Sequence, residues 1–310
     1  MRILSDDDVR NLFPMTEAIA VMKNVFRARS NGSLISPPRS GFSAGDVGMV
    51  WTPGGLPSTA VVGLRVYLTG LVASDQLVAA WDTQSGKLIA LAIGSYLGRL
   101  RTGAIGGVAI DSLARPDAKT VGVIGFGEQA WNQVEAAMAV RPIRRVVVYR
   151  RDRKQLEASV SLAQRTWPVE VVMAPSPHDA VVGADIVVTA TRSASPVLDP
   201  AWVSPGTHIN ALGPKYHERS ELPPHLVDSV QILTSDFPEQ YRTDPDFLWH
   251  DSPHMDRLYD LAGFIDGSGP RDAAAITLFL SHGLSGTEVV LLQEVARHAQ
   301  KLGWGQEVAL

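Results

Sequence analysis

Thr120 to Trp131 reads TVGVIGFGEQAW, and this stretch restricts the possible folds more than any other. The apolar run Val121–Ile124 has the character of a buried strand. It opens directly into Gly125-Phe126-Gly127-Glu128-Gln129-Ala130, and a helix-forming run follows to Val140. A strand, a glycine turn and a helix in that order form the context of a dinucleotide fingerprint. Gly125 permits the tight turn, Gly127 admits a pyrophosphate against the backbone, and Ala130 lets the helix lie close to the strand. The helix start supplies N–H groups and partial positive charge to phosphate.

Downstream, the apolar runs 121–124, 146–149, 169–173, 186–189, 207–212 and 231–234 read as strands, with helical stretches between the first four. Strands alternating with helices at this spacing imply a Rossmann-type doubly wound parallel sheet. Upstream, Ser5 followed by Asp6-Asp7-Asp8 reads as a capped helix start, and a second helix opens at Pro14 with Ala18, Val21, Met22, Val25 and Phe26 on one face. Residues 33–58, rich in Pro and Gly, read as loop. Three strands are expected at 61–68, 77–81 and 88–93, with Asp82–Gly86 as the turn between the last two. Arg65 points to the face opposite Leu64 and Val66, and is a surface charge if that face is open. A helix is expected over Tyr96–Leu113, whose Gly103, Gly106 and Gly107 imply close packing by a neighbour. Ala114-Arg115-Pro116-Asp117 marks the boundary before the nucleotide strand. Ser235 to Gly269 reads as irregular, and two closing helices are expected at 272–282 and 287–302.

The chain has 310 residues, enough for two domains, and its net charge of −4 gives no footprint for nucleic acid or an anionic membrane. No apolar run reaches the roughly 18 residues of a membrane span. There is no cysteine, which removes disulfides, thiolate catalysis and cysteine-bound metal. His208, His217, His225, His250 and His254 show no helical HxxxH or HExxH spacing, so no metal is expected. The N-terminus carries no secretory core, and a cytoplasmic setting is the expectation.

Choice of nucleotide is read at the end of the second strand of the parallel sheet. An NAD site places an acid there for the ribose 2′-hydroxyl. Here the run is Tyr149-Arg150-Arg151-Asp152. Two guanidiniums can pair with a 2′-phosphate, so NADP(H) is preferred, while Asp152 leaves NAD(H) open.

With these residues in view, the chain resembles the ornithine cyclodeaminase / mu-crystallin family over nearly its full length. The resemblance rests on Pro37-Pro38-Arg39, Gly63-Leu64-Arg65-Val66, Leu100-Arg101-Thr102-Gly103-Ala104, the glycine turn, Thr189–Ser193, Pro205–Gly213, Ser220-Glu221-Leu222 and Ile276–Phe279. It implies a substrate-binding and dimerisation α/β domain over 1–116, joined by 288–310, a Rossmann domain over 117–287, and a homodimer. It implies hydride exchange between a nicotinamide and the α-carbon of an amino or imino acid. By position, Arg39 and Arg101 would clamp the α-carboxylate. Thr102, Gly125, Gly127, Glu128, Gln129, Ala130, Thr191 and Ser193 would contact the cofactor.

Two residues depart from the family pattern. Arg65 stands where a lysine is usual, and arginine is a poor proton donor. Lys215 stands where cyclodeaminases carry an aspartate for the substrate's terminal ammonium, so ornithine cyclisation is disfavoured. Lys215 is instead expected to bind a neutral or anionic end or to supply a proton, with a pKa depressed by Arg39, Arg65 and Arg101. Asp82 and His217 are further proton-transfer candidates, with Asp82 equally readable as a turn residue. The expected function is NADPH-dependent reduction of an α-imino or α-keto acid. The alternatives are a redox-neutral cyclodeaminase with bound NAD and a non-catalytic nucleotide-dependent binder.

Overall fold

The computed structural model describes residues 1–71, 74–267 and 272–309. Residues 268 and 269 of the stretch expected to be irregular, and Leu310 of the expected C-terminal return, lie outside the described residues. Two compact units are present, Met1–Ala104 with Leu284–Leu310, and Ile105–Gly283. The division falls inside a continuous helix rather than in the turn at Ala114–Asp117.

In chain order the first unit begins with β1 (Arg2–Leu4), α1 (Asp6–Leu12), α2 (Met15–Ser30), β2 (Ser40–Ala44), β3 (Val47–Leu56), β4 (Val61–Thr69), β5 (Gln76–Asp82), β6 (Leu88–Ile93) and the start of α3 (Tyr96–Leu113). The second unit carries β7 (Thr120–Ile124), α4 (Glu128–Val140), β8 (Arg145–Tyr149), α5 (Arg153–Thr166), β9 (Glu170–Met173), α6 (Pro177–Val181), β10 (Ile186–Thr189), β11 (His208–Ala211), the hairpin β12 (Lys215–Tyr216) and β13 (Arg219–Ser220), β14 (Ile232–Ser235), α7 (Pro238–Thr243), β15 (Leu258–Asp260) and β16 (Thr277–Leu280). The first unit closes with α8 (Thr287–Leu302) and β17 (Gln306–Glu307).

Ser5 caps α1 through a reciprocal capping box with Asp8. The sheet of the first unit runs β17-β1-β6-β5-β4-β3-β2, antiparallel except for β1 beside β6. Two of its strands, β2 and β3, occupy the segment expected to be loop. Pro53, Gly54 and Gly55 give it the composition of a loop, but the β4 ladder holds β3 in register from Gly48↔Thr69 to Leu56↔Val61. Alternation assigns Thr52, Gly54, Val61, Gly63, Arg65, Val78 and Ala80 to one face. Helix α8 packs on this sheet through β3, β4, β5 and β6. A Cβ on Gly54 would stand 2.6 Å from the Gly286 Cα, so glycine at both positions lets the start of α8 touch β3. The opposite face carries Phe42, Trp51, Val62, Val66, Leu77 and Ile93, linked by the pairs Trp51↔Val66, Val66↔Leu77 and Leu77↔Ile93. Phe42 is 57% exposed and Ile93 46%, so this face is apolar and open.

The sheet of the second unit has eight parallel strands in the order β15-β14-β16-β11-β10-β7-β8-β9. It is the doubly wound Rossmann-type arrangement. Alternate residues feed two cores: Val121, Val123, Ile186 and Val188 enter one, and Ile124, Val187, Ile209 and Leu278 the other. The expected helix over 272–282 is instead strand β16, between β14 and β11. Its residues are buried on both faces, so they read as a continuous apolar run that periodicity cannot assign. The stretch after Ser235 also contains α7 and β15, both short. Among the described residues, no helix is long and apolar enough to cross a membrane.

Candidate active site

In the second unit the chain leaves β7 toward β8 and β9, then returns to place β10 on the other side of β7. Ligands of such sheets bind beyond the carboxyl ends of the strands at this switch. Gly125 follows β7 with φ +86°, and a Cβ there would stand 2.6 Å from the Ala190 carbonyl oxygen, so glycine is required. Gly127 is the N-cap of α4 and supplies no side-chain cap, so the first N–H groups of the helix lack that partner. A Cβ added at Gly127 would meet nothing within 4 Å. It would enter a cavity of about 1020 Å³ whose walls include Gly125, Gly127, Arg150, Arg151, Thr191 and Ser193. Ala130 is buried beside the strand, whereas Glu128 and Gln129 are exposed on the first turn of α4. A bare helix start, glycines where side chains would collide or fill the space, and a cavity of this size fit a dinucleotide.

Both wall arginines lie where the sequence places them. Arg150 donates to the Phe126 carbonyl at 3.0 Å and bonds the Gln155 side chain. Arg151 is exposed. Asp152 caps α5, its carboxylate accepting from the Gln155 N–H at 3.0 Å. That carboxylate is committed to the backbone of its own helix.

The loop after β10 is organised by Glu221. One carboxylate oxygen accepts from Thr189 Oγ1 and the Gly213 N–H, each at 2.7 Å. The other accepts from the Thr191 N–H at 2.8 Å and Thr191 Oγ1 at 2.7 Å. Ser193 in turn donates its N–H to Thr191 Oγ1 at 3.1 Å. Lys215 begins β12 only 4% exposed, its Nζ donating to the Gly213 carbonyl at 2.6 Å. Burial lowers its pKa to about 8, against the opposing pull of Glu221 and Asp236. The depression expected from sequence is present, but its cause is desolvation and the charges acting on it are carboxylates. His208 is buried between Thr277 Oγ1 and Asn210 Oδ1, each at 2.7 Å, and burial lowers its pKa to about 4. It is a neutral packing residue. Among the described residues, no cluster of three or more His, Cys, Asp or Glu could hold a metal.

In the first unit Arg65 and Arg101 come together on a residue that the sequence reading passed over. Arg65 Nη1 donates to Glu288 Oε1 at 2.9 Å, and Arg101 Nη2 bonds the same oxygen. Arg65 also donates from Nε and Nη2 to Gln76 Oε1, at 3.1 and 2.6 Å, and lies 4.4 Å from the centre of the Tyr67 ring. Burial, opposed by Glu288, lowers the pKa of Arg65, though a guanidinium remains charged at physiological pH. Burial opposes ionisation of Glu288, which is 1% exposed, but Arg101 and Arg65 outweigh it and hold the carboxyl at about 2. Arg101 Nε and Thr52 Oγ1 are buried without a hydrogen-bond partner. Thr52 stands directly opposite Arg65 in the β3–β4 ladder. Arg65 is therefore no surface charge.

Arg39 is half-buried just before β2. Thr102 donates its hydroxyl to the Gly98 carbonyl at 2.8 Å within α3. Asp82 does not join the Arg65 cluster: it is half-buried in the β5–β6 turn, where it accepts from the Gln84 and Ser85 N–H groups and Ser85 Oγ. Those bonds, led by the Ser85 N–H, lower its pKa, so it acts as a turn residue and a poor proton carrier. The exposed His217 follows β12 in the second unit. Glu288 escaped the sequence reading because an acid in the first turn of a helix looks like an ordinary dipole partner. Glu221 sat inside a quoted stretch, with no local signal of its role.

The model of the ornithine cyclodeaminase/mu-crystallin family matches residues 2–302. The chain belongs to that family. A Δ1-pyrroline-2-carboxylate reductase of Bacillus cereus is 28% identical over 99% of each chain. The solved Thermococcus litoralis Δ1-pyrroline-2-carboxylate reductase, in complex with NADH and L-proline, is 27% identical, with a TM-score of 0.90 over 99% of this chain and 100% of that one. An archaeal alanine dehydrogenase dimer with bound NAD is 26% identical, with a TM-score of 0.88 over 100% and 99%. Sequence and fold thus match members of the family along their full length.

Glu288, ionising near 4.5 when unfolded and about 2 when folded, contributes stability that is fully present above pH 4.5 and lost toward pH 2. The melting midpoints of wild type and Glu288→Gln should therefore keep a constant gap above pH 4.5 and converge below it. Parallel curves across that window would show that the ion cluster does not form.

Proposed function

We propose that this chain is an NADPH-dependent reductase of a small α-imino or α-keto acid, working by ketimine reduction or reductive amination. As a member of its family it is an NAD(P)-dependent oxidoreductase acting on carbon–nitrogen bonds. The observation that carries the reading is a pair of guanidiniums, Arg101 buried and Arg65 half-buried, with Arg101 Nε unpartnered among the described residues, in a chain that also has a dinucleotide-shaped turn. The named activities of the Bacillus and Thermococcus relatives support imine reduction.

Arg39, Arg65 and Arg101 take the substrate acid, because a planar fork holds a carboxylate in a fixed pose. Thr102, Gly125, Gly127, Glu128, Gln129, Ala130, Thr191 and Ser193 hold the nucleotide. The nicotinamide, when bound, supplies the hydride. Arg65 stays charged and so polarises and orients without donating a proton. Lys215 supplies the proton to the nitrogen or oxygen of the reduced bond, since an amine near pKa 8 is protonated at neutral pH yet able to release. Its positive charge also disfavours an ornithine side chain.

NADPH oxidation should follow addition of Δ1-pyrroline-2-carboxylate, or of pyruvate with ammonium. Release of ammonia from a diamino acid with no net change in the nicotinamide absorbance would instead mark a cyclodeaminase. Binding without turnover would mark a carrier. In the reductase, kcat should fall as pH rises through about 8, where Lys215 loses its proton. Lys215→Met should lose about 10²-fold in rate together with that alkaline limb. An unchanged rate and pH profile would remove Lys215 from the chemistry.

Arg150 and Arg151 favour NADPH by pairing with its 2′-phosphate, and Asp152 is occupied as a helix cap. An Arg150→Ala/Arg151→Ala variant should lower the ratio of kcat/KM for NADPH over NADH by at least about tenfold, roughly one good charged contact. No change in that ratio would assign the preference elsewhere.

The working form is a homodimer built on the open apolar face of the first unit's sheet. Apolar faces of this extent mark interaction surfaces, and the archaeal alanine dehydrogenase is described as a dimer. Wild type should sediment as a dimer, and Leu77→Glu/Ile93→Glu as a monomer. A variant that stays dimeric would place the interface on another surface.

A further inference from the structure

The two guanidiniums assigned to the substrate acid already hold a carboxylate. Glu288 Oε1 takes Arg65 Nη1 at 2.9 Å and Arg101 Nη2, while Oε2 lies 3.1 Å from Thr287 Oγ1, which shares its one proton with the Leu284 carbonyl at 2.6 Å. The position of this carboxylate is set by the fold. Glu288 lies in the first turn of α8, and the start of α8 is fixed by the backbone contact of Gly286 with Gly54 of β3. The N-cap Gly286 has φ +82°, a conformation that other residues adopt only with strain. Glu288 is therefore a resident anion.

From this we infer that Glu288 is a specificity-determining residue: an internal carboxylate that competes with the substrate's own, so that the enzyme accepts cyclic imines lacking a carboxylate on the imine carbon about as well as the α-imino acids. This deepens the reductase reading and rests on it. Two guanidiniums against one carboxylate leave a single positive charge in the trio. An entering acid cannot evict Glu288, because a carboxylate 1% exposed and stripped of its partners bears its full desolvation penalty. Arg65 already gives Nε and one Nη2 hydrogen to Gln76 Oε1 and one Nη1 hydrogen to Glu288, which leaves an entering acid only the second hydrogens of Nη1 and Nη2. Among the described residues, Arg101 Nε and Thr52 Oγ1 are buried donors with no hydrogen-bond partner. These donors stand beside a fixed negative charge, which weakens them as a receptor for a second carboxylate. They suit a neutral acceptor atom equally well.

The test compares 1-pyrroline with Δ1-pyrroline-2-carboxylate at saturating NADPH. In wild type, kcat/KM for the acid should exceed that for the unsubstituted imine by less than about tenfold. Removing the resident charge in Glu288→Gln should raise the ratio at least about tenfold, through a lower KM for the acid. Glu288→Asp, which keeps the charge on a shorter arm, should fall between the two. A ratio that falls or stays within twofold in Glu288→Gln would overturn the inference, because a carboxylate that only positions the arginines helps acid binding and its loss must weaken it. Calorimetry with pyrrole-2-carboxylate and pyrrole-2-carboxamide reads the same question without turnover. Glu288→Gln should bind the carboxylate at least about tenfold tighter than wild type does, and the carboxamide within threefold of wild type. Equal or weaker carboxylate binding overturns the inference. If wild type reduces neither imine with either nicotinamide, the reductase reading fails, and the calorimetric comparison still decides the role of Glu288.

Discussion

A carboxylate withdrawn from water must be met by donors on nearly every lone pair, and each unit of this protein gathers a hydrogen-bond network around one such group. In the first unit Glu288 gathers Arg65, Arg101 and Thr287 from three different elements. In the second, Glu221 collects Thr189, both donors of Thr191 and the Gly213 N–H, tying the loops after β10 and β11 together. Such networks are high-stakes, because a partly satisfied buried charge is worse than an apolar side chain. Fully satisfied, they fix loop geometry that backbone ladders cannot reach. Asp185 is a smaller instance, holding Arg115 and the Lys119 and Thr120 N–H groups at the entry to β7.

What could be read from the sequence follows from where the determining contacts lie. The glycine turn, the span of α3 and the strands β4 to β6 declare themselves because their signals are local: capping residues, period and turn chemistry. Strands β2 and β3 do not, because Pro53, Gly54 and Gly55 carry loop composition and only the distant β4 ladder and the contact with Gly286 explain them. Strand β16 misleads in the other direction. Ala273-Ala274-Ala275 followed by Ile276 and Leu278 has helix-forming composition, yet the run ends as an interior strand whose hydrogen bonds go to β11 and β14.

The sequence shows the residue types of the candidate site and not their connections. Arg65 and Arg101 stand out by position, but Glu288, the residue that joins them, is 187 residues from Arg101 in sequence. Lys215 shows the same division. Its depressed pKa was expected from an arginine cluster, whereas the structure derives it from burial, against two neighbouring carboxylates. The two causes have different consequences. A lysine depressed by like charges recovers its ordinary basicity when salt screens them, but one depressed by desolvation does not, because the low-dielectric surroundings remain.

That distinction bears on how the two departures from the family pattern fit together. Arg65 removes a titratable amine from the first unit and puts a permanent charge in its place. Such a charge, half-buried on a sheet face, is stabilised by a counter-ion of equal permanence, and a carboxyl held at about 2 supplies one. Arginine at 65 and glutamate at 288 are therefore coupled choices. Each lowers the cost of burying the other, with Arg101 as a second partner of the carboxylate and Gln76 as a second partner of Arg65. With proton exchange excluded from that pair, the proposed reaction would draw its mobile proton from Lys215, an amine that burial holds near 8.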